Sequence, residues 1–289
     1  MLKTVWLTDN RDLSGGSAML IGGFDGLHVG HRLLLARAKE SGLPVGIMTI
    51  VGGKEGQILF TFQERERIFQ ESGADFVFEL PFDEIKDLTP TEFLQKLIGE
   101  FSPKLFVCGE DFRFGKGAAG TPSMIENTTQ VRVEILPLVE KNGEKISSRT
   151  VKGLLLDGRV EEANELLQEP YFVYGEVFPD RKIGRTIGFP TANVAYPKEK
   201  FPLKMGVYET QVEINGVFYK GITNYGARPT FDDEDVLTET YLDGFEGDLY
   251  GKMIKVEFIR YLRDIRRFAT VKDLKQQLHA DISRVRENR

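Results

Sequence analysis

Two of the chain's three histidines, His28 and His31, fall in one short stretch, "AMLIGGFDGLHVGH", from Ala18 to His31. Gly22, Gly23 and Gly26 precede them, and Gly30 lies between. A glycine-rich loop between an apolar run and a helical pattern aims backbone N–H groups at one point. The helix N-terminus adds partial positive charge there. Histidines three apart share a face of the first turn. They can donate hydrogen bonds to phosphate oxygens and stabilise charge that develops during group transfer. Glycines can also make a turn, and histidines can cap a helix, with no ligand present; the ordered cluster favours the phosphate.

The elements around this stretch must hold it rigidly. In the first half, short apolar runs alternate with helical patterns. "AMLIGGF", "PVGIMTIV", "ADFVFEL", "KLFVCG" and "VRVEILPLV" read as strands. "GHRLLLARAKESG", "TFQERERIFQESG" and "TPTEFLQKLIGEF" read as helices, the last opened by Thr89 or Thr91 with Pro90 in its first turn. That alternation predicts a parallel sheet covered by helices on both faces. "SSRTVKGLLLDG" and "RVEEANELLQ" predict two helices bridging to a second domain. After Pro170 come "YFVYGEVF", "GVYETQVEI", "VFYKGITNYG", "LTETYLDGF" and "KMIKVEFIRYLR", short aromatic or β-branched strands separated by glycine turns. Asn215–Gly216 is a hairpin signal. Together they predict a small antiparallel barrel, followed by an amphipathic C-terminal helix.

Gly115, Gly117 and Gly120 match G-x-G-x-x-G literally, but "TPSMIENTTQ" follows them, a poor long helix. A dinucleotide fingerprint leads directly into a helix. The stretch is therefore expected to be a mobile loop near the substrates, with Lys116 at a phosphate.

A chain of 289 residues with 41% hydrophobic content can build one large or two ordinary cores. A net charge of −6 argues against a nucleic-acid-binding surface but not against nucleotides. The single cysteine, Cys108, leaves no internal disulfide and reads as a buried, reduced thiol. The N-terminus turns charged too early for a signal peptide, and no apolar run reaches the roughly 20 residues of a membrane span. A cytoplasmic protein is expected, with oligomeric state unspecified.

"GFDGLHVGH" resembles the nucleotide-binding signature of the adenylyltransferase domain of bacterial bifunctional riboflavin kinase/FAD synthetases. "VCGEDFRFGKGAAG" is similar to that family's GxDFRFG segment, "ISSRTVK" to its ISSTxxR motif, and "GRTIGFPTANV" to its kinase motif. The resemblance continues through "GARPTF", "ETYLDGFEGDLYGK" and "LRDIRRF", in order and over essentially the whole chain. It implies a Rossmann-like nucleotidylyltransferase domain over residues 1–155, a helical linker over 156–170, and a riboflavin kinase barrel with a C-terminal helix over 171–289. The chain has no GxxxxGK[ST], in keeping with a kinase family that lacks that loop. The implied reactions are riboflavin to FMN by ATP with Mg²⁺, then FMN to FAD with release of pyrophosphate.

What the resemblance implies for residues is specific. Glu239 is the base that takes the proton of the ribityl hydroxyl, with Tyr241 standing where the family usually has histidine. Thr191 and Asn193 bind Mg²⁺–ATP; hard oxygen ligands of this kind suit Mg²⁺. Arg185 holds phosphates, and Arg263 contacts flavin. In the first domain, His28 and His31 are catalytic. Gly22, Gly23, Phe24, Asp25, Ser147, Ser148, Arg149 and Lys152 bind ATP or its phosphates, and Asp111 and Arg113 bind flavin. Two departures stand out. "TIVGGKEGQILFTF" lacks the family's Phe-Asp-Pro-His-Pro stretch. In Ile146-Ser147-Ser148-Arg149-Thr150-Val151-Lys152, threonine and arginine are displaced and the last cation is lysine, which lacks the bidentate fork. A one-activity enzyme, and a flavin- or nucleotide-binding regulatory protein, are the alternatives that these departures leave open.

Overall fold

The computed structural model describes residues 3–9, 11–52, 58–179, 188–227 and 236–287. The chain divides into two compact units, Met1–Thr150 and Val151–Arg289.

In the first unit six strands form one sheet: β1 (Lys3–Trp6), β2 (Ser17–Leu20), β3 (Val45–Val51), β4 (Phe76–Pro81), β5 (Pro103–Gly109) and β6 (Arg132–Leu136), in the order β1-β4-β3-β2-β5-β6. Helices α1 (Val29–Lys39), α2 (Phe62–Glu71), α3 (Phe82–Ile85), α4 (Pro90–Phe101) and α5 (Pro122–Thr129) lie between them. β1 runs antiparallel to β4, and every other pair is parallel. The edge strand β1 was not expected: four residues are too short a run to show a period. Met19, Met48, Phe78, Phe106 and Cys108 share one buried cluster with Phe93, Leu94 and Leu97 of α4 and Ile125 of α5. The alternate residues Ala18, Leu20, Ile47, Val77 and Val107 are equally buried. They point to the opposite face, which α1 and α2 cross. Thr61 and Thr89 close capping boxes with Glu64 and Glu92, so α2 and α4 start where the sequence predicts.

The stretch from Gly115 to Gly120 differs from its expectation. Phe114 and Gly120 exchange backbone hydrogen bonds of 3.3 and 2.8 Å around a 3-10 turn, Lys116–Ala118. A Cβ on Gly115 would lie 2.7 Å from the backbone nitrogen of Pro90. The stretch is a folded turn packed on the start of α4, and Lys116 pairs with Asp87 at 3.1 Å. The helix α5 that follows is short, ending at Gln130 in a left-handed conformation.

A small hairpin, β7 (Glu140–Lys141) and β8 (Glu144–Lys145), leads into α6 (Ser148–Asp157) and α7 (Val160–Leu167). The second unit then forms an all-antiparallel sheet from β9 (Tyr171–Glu176), β10 (Thr191–Ala195), β11 (Gly206–Ile214), β12 (Val217–Ala227), β13 (Val236–Leu242) and β14 (Met253–Arg263). Their order is β10-β13-β12-β11-β14-β9. Phe178, just past β9, donates to the Asn193 carbonyl of β10 at 3.0 Å, a single bridge that brings the two ends of this half-barrel together. Asn215 and Gly216 take positive φ of 53° and 79° and make the predicted β11–β12 hairpin. Inside, the hydroxyls of Thr210, Thr223 and Thr240 form a buried chain with 2.8 Å links. Phe189, Val207, Ile222 and Leu262 pack under Ile282 and Val285 of α8 (Val271–Glu287). Asn164 ties α7 to the barrel: its amide donates to Phe258 O and its oxygen accepts from Tyr171 N–H. Among the described residues no helix is long and apolar enough to cross a membrane.

Candidate active sites

Strand order in the first unit reverses between β2 and β5. Their C-terminal ends diverge there and leave the crevice in which open α/β sheets bind ligands. A cavity of about 430 Å³ occupies that crevice, lined by Gly22, Gly23, His28, His31, Gly109 and Asp111 among others. His28 is the N-cap of α1, and its Nδ1 accepts the His31 backbone N–H at 3.4 Å. His31 Nδ1 lies 2.8 Å from the Gly26 carbonyl and must donate to it. The two hydrogen bonds assign the protons: His28 carries its hydrogen on Nε2, while Nε2 of His31 is a lone pair. The rings stack at 3.6 Å, 22° apart, and Phe24 meets His31 edge-on at 4.6 Å. Gly26 is required here and Gly30 fits closely. At Gly26, φ is +136° and a Cβ would lie 2.7 Å from the Phe60 ring; at Gly30 it would lie 3.3 Å from the His28 ring.

Burial above all pushes His28 down to about 2, helped by His31 and Lys145. Burial likewise pushes His31 down to about 4, against the pull of the Gly26 carbonyl and Asp111. Both imidazoles are therefore neutral near pH 7. A second helix N-terminus reaches the same cavity. Ser147 caps α6 by accepting the Thr150 N–H at 3.3 Å, and both Ser147 and Ser148 line the cavity. The displaced Thr150 belongs to this cap, its hydroxyl donating to Lys145 O at 2.9 Å. The N-termini of α1 and α6 and the His28 ring border one space, an arrangement suited to a polyphosphate.

Phe24 and Arg113 also line this cavity. Arg113 is exposed, and its guanidinium donates to Glu110 O and Phe112 O. Asp25, Arg149 and Lys152 do not line it. The Asp25 carboxylate accepts the Leu59 N–H at 2.9 Å, Arg149 is exposed, and Lys152 lies over the Phe201 ring at 5.6 Å. Sequence reasoning missed Lys145, which lines the cavity and pairs with Asp111. Only its place ahead of "ISS" could have pointed to it.

In the barrel, β10 and β13 set Asn193 directly opposite Glu239, and β12 sets Asn224 on the other side of Glu239. Directly opposed residues of an antiparallel ladder share a face. Thr191, two residues before Asn193, shares it and stands opposite Tyr241. Asn193 is 4% exposed, and its Oδ1 has no hydrogen-bond partner, whereas Glu239 is half-buried. An unpartnered buried amide oxygen costs free energy unless something else fills the role. Thr191 also borders a small cavity with Thr240, Phe245, Asp248 and Tyr250. The Phe189 ring is held edge-on between Tyr241 and His279, each 5.1 Å away.

Arg263 is committed elsewhere. Nε and Nη2 grip Asp281 of α8 at 3.0 and 2.8 Å, and Nη1 donates to Asp264 O. Its partner Asp281 is fully buried and takes a further bond from Gln277. Arg185 lies outside the described residues.

Comparison with known proteins divides the chain in the same way. The family model for FAD synthetase matches residues 10–150, and that for riboflavin kinase matches residues 167–288. The bifunctional riboflavin kinase/FMN adenylyltransferase of Bacillus subtilis (strain 168) is 34% identical over 304 residues, covering 97% of this chain and 96% of its own length. Its counterpart in Escherichia coli (strain K12) is 34% identical over 292 residues, covering 94% and 92%. A crystal structure from Streptococcus pneumoniae, described as a macrolide-efflux protein, matches with a TM-score of 0.85 at 31% identity, covering 97% of each chain.

Proposed function

The chain belongs to the bifunctional riboflavin kinase/FMN adenylyltransferase family, and from that premise we propose how its residues divide the two reactions. It phosphorylates riboflavin to FMN and adenylylates FMN to FAD, with ATP as co-substrate in both. We assign adenylyl transfer to residues 1–155 and phosphorylation to 171–289, with 156–170 as the helical connection. The observation that carries this assignment is placement: the paired histidines and their cavity lie within residues 10–150, and the Asn193–Glu239 pair within 167–288.

In the adenylyltransferase unit a phosphate oxygen of FMN attacks the α-phosphorus of ATP, and pyrophosphate leaves. Gly22, Gly23 and the N-termini of α1 and α6 hold the phosphates. His28 donates through Nε2 to a phosphate oxygen. His31 donates only after taking a proton at Nε2, which the growing negative charge favours. Asp111 and Arg113 face the flavin side. An incoming phosphate competes with Asp111 for the Lys145 ammonium. The reaction needs positioning and charge stabilisation more than a covalent intermediate.

In the kinase unit the terminal ribityl hydroxyl of riboflavin attacks the γ-phosphorus, and Glu239 accepts its proton. The orphaned Asn193 Oδ1 fits a hard cation, so Asn193 and Thr191 would hold Mg²⁺ beside the nucleotide. Bound there, Mg²⁺ would supply positive charge against the transferring phosphates. The substrates are small molecules, the enzyme is assigned to the cytoplasm, and no nucleic-acid partner is proposed.

Chromatography of products tests the division. With ATP and Mg²⁺, Glu239→Ala is expected to make no FMN from riboflavin yet still convert supplied FMN to FAD. His31→Ala is expected to do the reverse. Loss of both activities in either variant sinks the two-site assignment.

A further inference from the structure

The loop that carries Gly22 to His28 rests on a buried cation that none of the motifs contains. Arg65, on α2, is only 5% exposed. Its Nη1 donates to the Phe24 carbonyl at 3.5 Å and to the Thr49 hydroxyl on β3. Thr49 is fully buried, and Nε of Arg65 has no hydrogen-bond partner. Asp25, Glu79 and Glu64 surround the guanidinium with negative charge, while burial pulls its pKa down. Asp25, part of the "GFDG" signature, thus faces inward, holding Leu59 N–H and balancing Arg65 rather than reaching into the cavity. Phe24, whose carbonyl the guanidinium reaches, is 1% exposed, and its ring abuts the His31 ring.

We propose that Arg65 is a positioning residue for adenylyl transfer: by gripping the Phe24 carbonyl and Thr49 together it fixes the Phe24 ring, and through it the orientation of His31. The physical case is one of geometry. The His31 ring is held by a hydrogen bond to the Gly26 carbonyl and by contacts with the His28 and Phe24 rings. If the Phe24 peptide shifts, the His31 ring shifts with it. Misplacing a catalytic group by about 1 Å costs about 100-fold in rate. A charge is also expensive to bury, so a fold that buries one under this loop and balances it with three carboxylates gains something by it. Both bonds leave from one nitrogen, Nη1, so the single ammonium of a lysine can replace them in part, on a side chain that gives up its charge more readily when buried.

This inference rests on the assignment of His31 to adenylyl transfer. The experiment measures FMN adenylylation and riboflavin phosphorylation on the same preparation of full-length Arg65→Met, Arg65→Lys, Thr49→Val and His31→Ala. Arg65→Met is expected to lower kcat for adenylylation about 100-fold, with KM for ATP within about threefold and phosphorylation unchanged. Arg65→Lys is expected to recover kcat to within about tenfold of the parent. Thr49→Val, which keeps the buried charge and removes only an anchor, is expected to lower kcat several-fold at unchanged KM. It decides the matter if Arg65→Met does not fold: parent-like kcat in Thr49→Val then overturns the proposal. Parent-like kcat in Arg65→Met, or a Lys variant as slow as the Met variant, also overturns it. Unchanged adenylylation in His31→Ala overturns the reading of the site itself. A slow His31→Ala beside a fast Arg65→Met overturns only the role of Arg65.

Discussion

At the scale of single residues, His28 and His31 stack so closely that charging one ring sets it against the other. Burial adds to this, and both titrate well below the ordinary 6.5 of histidine. Between pH 6.5 and about 4 the unfolded chain takes up protons that the folded unit refuses. The resulting stability is present above pH 6.5 and is lost as the pH falls through that window. Calorimetry should therefore find the first unit melting at lower temperature at pH 5 than at pH 7. A His28→Gln/His31→Gln variant should show a flatter dependence over the same range; parallel slopes would place the pH sensitivity elsewhere. Arg263 is a second case where a residue's partners decide its role. Its sequence position suggests flavin, but its three guanidinium nitrogens already have partners.

At the scale of elements, α1 and α6 bring their N-termini to the cavity wall, and α8 contributes packing. His28 and Ser147 are caps as well as cavity walls, so the start of each helix and the shape of the site are one feature. α8 covers the apolar face of the barrel and is pinned by the buried Arg263–Asp281 pair. Removing one partner of such a pair leaves a buried charge unpaired. Asp281→Ala is expected to destabilise the second unit by about 3–5 kcal/mol, measured by urea unfolding. Arg263→Met with Asp281→Leu removes both charges and should lie much closer to the parent. A loss below about 1 kcal/mol in the single variant would mean that solvent reaches and screens the pair.

At the scale of the whole molecule, the two proposed sites lie one in each unit, and FMN is the product of one reaction and the substrate of the other. A mixture of Glu239→Ala and His31→Ala proteins is accordingly expected to make FAD from riboflavin and ATP, by way of FMN released to solution. FMN accumulating without FAD in that mixture would show that the two steps require one intact chain. Much of this organisation is legible in the sequence, because its causes are local. The loop from Gly22 to His31 is set by glycines, a cap and one helical turn, all within ten residues. The β11–β12 hairpin follows from Asn215–Gly216, and α2 and α4 from their capping boxes. The order of motifs along the chain likewise agrees with the order of the two family models, FAD synthetase over residues 10–150 and riboflavin kinase over 167–288. Only the tertiary structure could decide which distant side chains meet. Lys145 finds Asp111 across 34 residues, and Arg65 finds Phe24 across 41. Asn193 meets Glu239 through the register of two strands, and Asp25 and Arg263 meet Leu59 and Asp281 across long stretches of chain. Such pairings are chosen by strand register and by the cost of burying a charge without its counterpart, and both are properties of the packed molecule.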